Sequence, residues 1–167
     1  MSVIMMRDAD DGVKEEADGD QDCIDAEAEA ADEAYVAFTS GTNGIPKGTA
    51  ARFDAVLRYA EAKRAVENIT SDSRVCLASN VTFDLYPGDA YCAALAGAAM
   101  VVASRAMIQR DFARVLVLGR ATHVCCTPTV FSLADFPRGR VDAPDLRCVS
   151  LAGEKMSART LRAFAST

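Results

Sequence analysis

The sequence predicts an α/β fold, a mainly parallel sheet flanked by helices. After residue 33, short apolar runs alternate with longer amphipathic segments, the pattern of strands joined by helical crossovers. One run, Ala98–Ala103 (AAMVVA), is apolar on both faces, as a strand covered on both sides requires. Gly and Pro stand at the boundaries between runs. The 167 residues are half hydrophobic, enough for one domain with a core that buries roughly two-thirds of the unfolded surface. With no Trp and few aromatics, that core rests on Ala, Val, Leu and Met.

In order, Ala34–Phe38 reads as a strand and Thr39–Thr49 as a loop. Ala50–Val66 reads as a helix, with Phe53, Val56, Leu57, Ala60 and Arg64 at helical spacing. Arg74–Ala78 is a short strand. Pro87 suits the first turn of a helix that runs to about Leu95 and stops at Gly97. Ala98–Ala103 follows as the buried strand, then a helix over residues 107–119 closed by Gly119. Thr122–Cys126 is a strand, and Pro128 starts a helix through Ala134. Phe136–Pro144 is a loop, Leu146–Leu151 a strand and Ala152–Glu154 a turn. Ser157 is placed to cap a last helix, Ala158–Ala165.

Charge divides the chain at residue 33. Thirteen acids against Arg7 and Lys14 give residues 1–33 a net −11, so the remainder carries +5 of the overall −6. An acidic segment with few large apolar side chains repels itself, and residues 1–33 are expected to form a disordered tail. The mildly basic remainder suits a phosphate-bearing ligand but lacks the basic clusters and interleaved aromatics of a nucleic-acid surface. The six Cys, at 23, 76, 92, 125, 126 and 148, form no CxxC and share the chain with one His, so zinc spacing is absent and no metal ligands are assigned. Neither a secretory signal nor an apolar stretch of membrane-spanning length is visible, and a cytoplasmic protein with reduced thiols and no membrane partner is expected.

The most informative stretch is residues 35–49, YVAFTSGTNGIPKGT. A strand delivers the chain into a loop with three glycines, several hydroxyls and one lysine. Gly41, Gly44 and Gly48 allow close backbone approach. Backbone N–H groups and the hydroxyls of Thr39, Ser40 and Thr42 can donate to phosphate oxygens, and Lys47 adds positive charge. The Walker pattern is excluded, because Pro46 precedes the lysine and Gly48 follows it. Composition alone would also allow a surface loop of small polar residues.

TSGTNGIPKG resembles the phosphate-binding motif of the adenylate-forming (AMP-binding) superfamily, [ST]SG[ST]TGxPKG, at nine of ten positions; Asn43 stands where that family usually has Thr. VTFDLYPGD (81–89) resembles its Phe-Asp motif, THVCCTPTVF (122–131) its Pro-containing strand and helix, and LRCVSLAGEKM (146–156) its strand into a Gly-Gly-Glu turn, with Ala152 in place of the first Gly. The resemblance covers residues 34–167 and is closest to the adenylation domains of nonribosomal peptide synthetases.

The resemblance implies an incomplete adenylation-domain N-terminal subdomain that takes ATP and Mg²⁺. Thr39, Ser40, Gly41, Thr42, Asn43, Gly44 and Lys47 would hold the phosphates. Asp84 would pair with the α-ammonium of an amino-acid substrate, and Leu85, Gly88, Cys125, Ser150 and Ala152 would line an uncharged side-chain pocket, Gly88 leaving room where some relatives place a bulky aromatic. By position alone, Asp84 also suits a helix start. The reaction implied is formation of an aminoacyl-adenylate, with a phosphopantetheine carrier domain as the later acceptor. The family's later motifs, its catalytic lysine included, are not among residues 1–167, so a truncated and inactive fragment is expected. An acyl-CoA-synthetase-like ligase and a non-catalytic nucleotide-binding or interaction remnant are the alternatives.

Overall fold

The computed structural model describes residues 2–6, 14–17, 32–40, 45–136 and 142–156. Six strands form one sheet in the order β2-β1-β6-β5-β7-β8. These are β1 (Ser2–Met6), β2 (Lys14–Ala17), β5 (Arg74–Cys76), β6 (Ala99–Ala103), β7 (His123–Cys126) and β8 (Cys148–Leu151). All neighbours pair in parallel except β2, which is antiparallel to β1 at the edge. The helices are α1 (Phe53–Glu67), α2 (Leu85–Ala96), α3 (Arg105–Leu118) and α4 (Pro128–Ser132). A separate antiparallel hairpin, β3 (Glu33–Thr39) and β4 (Lys47–Arg52), precedes α1.

Alternation along the strands sorts the core into two layers. Val75, Leu77 and Met100 face α1 and α2, where they pack with Ala60, Cys92 and Ala93. Cys76, Val101, Val124 and Cys126 face the other way, onto Met107, Ile108, Phe112 and Phe131 of α3 and α4. From β5 the chain crosses to β6 on one side, then returns to β7 on the other. In such sheets that reversal opens a crevice beyond the carboxyl ends of the strands.

The helix ends follow their local chemistry. Ser104 Oγ accepts from the Met107 N–H at 3.2 Å and Thr127 Oγ1 from the Val130 N–H at 3.2 Å. Gly97, at φ +66°, closes α2 in the left-handed conformation. The helix expected over 107–119 starts earlier and is broken at Asp111 (φ −156°, ψ 71°), whose Oδ1 accepts from the Arg114 N–H at 3.0 Å and so restarts it.

Three expectations are corrected. The helix expected from Ala50 begins at Phe53, because Lys47–Arg52 pairs with Glu33–Thr39 as a strand, with one register shift between Glu33 and Tyr35. Within α1, Arg64 of the expected stripe is exposed and Lys63 is buried in its place. The acidic segment is not wholly a tail either. Ser2–Met6 lies between β2 and β6, with Val3 opposite Met100 and Ile4 opposite Val101. Ile4 is fully buried and Met6 nearly so, in the same core as Phe112. Net charge over 33 residues masked a five-residue apolar strand whose pairing partner lies almost a hundred residues away. The last predicted helix, Ala158–Ala165 with its Ser157 cap, lies outside the described residues.

Ile4→Ala is expected to lower stability by about 2–5 kcal/mol in urea denaturation, the cost of a large-to-small change in a packed core. An unattached N-terminus would show no change.

Candidate functional site

The hairpin and the first turn of α2 meet at a cavity of about 350 Å³ lined by Tyr35, Ala51, Ala55, Val56, Tyr59, Asp84, Leu85 and Gly88. Three predicted substrate-site residues, Asp84, Leu85 and Gly88, therefore share one wall. Asp84 stands at the N-cap position of α2, but its backbone is helical and its side chain makes no capping hydrogen bond. Its carboxylate is exposed and lies near the Tyr35 phenol, whose pKa is raised by burial and then by that negative charge.

The hairpin carries the described part of the predicted phosphate loop. Thr39 at the end of β3 is the register partner of Lys47 at the start of β4, and Ser40 follows Thr39. All three are exposed, so hydroxyls and an ammonium converge at one open end. Gly48 is fixed by packing: a Cβ there would stand 3.1 Å from Val36 and 3.2 Å from Phe38. Gly41, Thr42, Asn43 and Gly44 lie outside the described residues.

The remaining predicted residues sit at the carboxyl ends of β7 and β8. Cys125 is buried; Ser150 and Ala152 are partly exposed. The turn after β8 is held by the Ala152 N–H donating to the Cys126 carbonyl at 3.1 Å. Glu154 Oε2 accepts from the Thr129 backbone N–H at 3.1 Å and hydroxyl at 2.5 Å, which holds the Glu154 carboxyl below its usual range, the hydroxyl contact contributing most.

Between these groups runs a polar seam that sequence reasoning missed. Lys63 Nζ lies 2.8 Å from Asp89 Oδ1 and 3.4 Å from Glu67 Oε1, and Ser150 Oγ donates to the same Glu67 oxygen at 2.5 Å. Asp89 is 1% exposed and Lys63 9%. Burial pushes the Asp89 carboxyl up to about 6, against the opposing pull of Lys63. Burial by itself would lower the Lys63 pKa, but Asp89 above all, then Cys125 and Glu67, outweigh it and hold the ammonium well above its ordinary range. The signal was present: residues 63 and 67 continue the helical stripe of 56 and 60, and charged residues at core positions need buried partners.

His123 is a structural residue of the same region. Its Nε2 donates to the Glu67 carbonyl at 2.9 Å and its Nδ1 is 2.7 Å from the Thr122 hydroxyl, with burial lowering its pKa. These bonds pin the end of α1 onto β7.

The family model described as "AMP-binding enzyme" matches residues 2–167. The chain belongs to this family. Over 137 residues this AMP-binding chain is 36% identical to novobiocin biosynthesis protein H of Streptomyces niveus, covering 81% of the chain and 22% of that protein. Over 135 residues it is 31% identical to the nonribosomal peptide synthetase malG of Malbranchea aurantiaca, covering 81% of the chain and 6% of that protein. The chain thus spans about a fifth or less of the length of these relatives. Its fold matches the Vibrio cholerae adenylation domain AlmE, solved in complex with glycyl-adenosine-5'-phosphate, at a TM-score of 0.73 and 22% identity over 81% of the chain and 26% of that structure. It also matches VinN, solved with L-aspartate, at a TM-score of 0.72 and 24% identity over 84% of the chain and 36% of that structure. No helix among the described residues is long and apolar enough to cross a membrane.

In this AMP-binding chain, Lys63→Met leaves two carboxylates facing one another in the core. It is expected to cost about 3–5 kcal/mol by urea denaturation at pH 8. The loss should shrink at pH 5, where the Asp89 carboxyl, already raised, takes up a proton. In the unmutated chain the raised Lys63 pKa contributes stability that is complete below the ordinary lysine value and is lost as pH rises above it.

Proposed function

We propose that this chain supplies ATP- and substrate-binding residues for activating the carboxylate of an amino acid with ATP, giving an aminoacyl-adenylate and pyrophosphate. One observation carries the reading. Asp84 stands on the cavity wall with its carboxylate uncommitted to the α2 cap, and the hydroxyl- and lysine-bearing hairpin borders the same cavity. A substrate ammonium withdrawn from water needs a paired carboxylate, and Asp84 supplies one.

The described residues fit a nucleoside triphosphate. Thr39, Ser40 and Lys47 present donors and one positive charge at an open hairpin end, with Gly41–Gly44 completing the motif in sequence. Lys47 would hold the β- and γ-phosphates. In the reaction a carboxylate oxygen of the amino acid attacks the α-phosphorus. The bond from that phosphorus to the oxygen bridging to the β-phosphate breaks, and pyrophosphate leaves with the electron pair. Lys47 and the loop donors would stabilise charge on the leaving phosphates. Among the described residues no group of His, Cys, Asp and Glu could itself hold a metal, so Mg²⁺ would come with the triphosphate and share its charge. The acyl group would pass to the phosphopantetheine thiol of a carrier domain. A cytoplasmic setting suits the five free thiols among the described residues.

The two contacts separate by ligand in the full-length protein. Lys47→Ala should weaken ATP use with every substrate by roughly ten- to hundredfold, as loss of a charge-assisted contact does. Asp84→Ala should leave ATP binding nearly unchanged and raise the KM for amino acids in pyrophosphate exchange. If desamino analogues serve as well as amino acids, Asp84 is not the ammonium anchor and an acyl-CoA-synthetase-like reading replaces this one.

A further inference from the structure

Three residues on one face of α1, each four apart, meet three residues predicted to line the side-chain pocket. Tyr59 packs on Gly88: a Cβ at position 88 would stand only 2.8 Å from Tyr59 Cε1. The Lys63 ammonium lies against the Cys125 thiol and bonds Asp89, the neighbour of Gly88. Glu67 accepts the Ser150 hydroxyl at 2.5 Å. Each contact joins α1 to a different part of the expected pocket: α2, β7 and β8. The room that glycine leaves at position 88 is thus taken by the phenol ring of Tyr59. Behind it lie the largely buried, charged side chains of Lys63, Glu67 and Asp89, whereas the predicted lining residues alone imply an uncharged pocket.

The balance of charge and hydrogen bonding at this surface is specific. Two carboxylates, Asp89 and Glu67, share one ammonium. Asp89 Oδ2 is buried and has no hydrogen-bond partner among the described residues. Acceptors outnumber donors and one negative charge is left over. An apolar ligand group placed here would leave that imbalance unrelieved, and an anionic one would worsen it. A group bringing N–H donors and positive charge would relieve it.

Resting on the proposed amino-acid activation, we infer that Tyr59, Lys63 and Glu67 form the inner wall of the substrate pocket and select an amino acid with a short, amine-bearing side chain. Tyr59 limits length. Glu67, oriented by Lys63 and Ser150, provides the acceptor, and Asp89 the background charge. Lys63 and Ser150 are positioning residues for that acceptor.

The test compares 2,4-diaminobutyrate, norvaline and aspartate in pyrophosphate exchange by the full-length protein, and in calorimetric binding without ATP. The diamine should be preferred over norvaline by about tenfold or more in both, with aspartate the poorest, as loss of a charge-assisted contact predicts. Glu67→Gln, which keeps a hydrogen-bonding group beside Ser150 but removes the charge, should reduce that preference about tenfold, through KM for the diamine. Tyr59→Ala should extend use to lysine. Equal use of norvaline and the diamine, or a preference unmoved in a folded Glu67→Gln protein, overturns this inference and leaves amino-acid activation standing. Exchange with desamino acids but with no amino acid overturns both.

Discussion

Strand β5 is the constraint on which the rest of the structure depends. It is three residues long, and it is bonded to β6 on one side and β7 on the other. Val75 points into the core beneath α1 and α2, and Cys76 into the core beneath α3 and α4. Because the chain leaves β5 to one side and returns on the other, the helices after β5 and β6 lie on opposite faces. The loops after β5, β7 and β8 are thereby gathered at one end of the sheet, where Asp84, Cys125, Ser150 and Ala152 reside. Thr122 reinforces the junction: its Oγ1 accepts from the Arg74 N–H at 2.8 Å, and the Thr122 N–H donates to the Arg74 carbonyl at 2.9 Å.

A second layer of dependence runs through α1. This helix makes few apolar contacts with the sheet, since Val56, Ala60 and Lys63 are its buried residues. Polar links add to its packing against α2: Lys63 to Asp89 of α2, Glu67 to Ser150 of β8, and the Glu67 carbonyl to His123 of β7. Such links are directional, so they fix orientation more tightly than an aliphatic contact of the same area, while their desolvation offsets much of the stability they give. That suits a helix beside the proposed substrate pocket. It also joins specificity to folding, because the charges that would read a substrate side chain are those that dock α1.

Much of the fold was legible. Short apolar strands, Gly97 past α2, Pro128 at the first position of α4 and the AAMVVA strand are local signals, and each is found where the pattern puts it. The hydroxyl–glycine–lysine loop was legible as a motif because its residues are contiguous in sequence. Less legible was anything that needed a distant partner. Lys47–Arg52 reads as loop and helix start until Glu33–Thr39 is laid beside it. Ser2–Met6 reads as the start of an acidic tail until β6 offers an edge.

The sequence by itself determined the α/β class, the placement of the hydroxyl–glycine–lysine loop after a strand, and the choice of Asp84 as a carboxylate at a helix start. These depend on neighbours within a few residues, where spacing alone fixes geometry. Only the tertiary structure decided that Tyr59 fills the space left by Gly88, that Lys63 rather than Arg64 turns inward, and that Glu67 and Ser150, 83 residues apart, share a hydrogen bond. The reason is physical. A helix stripe shows which side chains are inside, but the charge of a buried site is a property of all the elements packed around it, and periodicity within one element carries no record of the others.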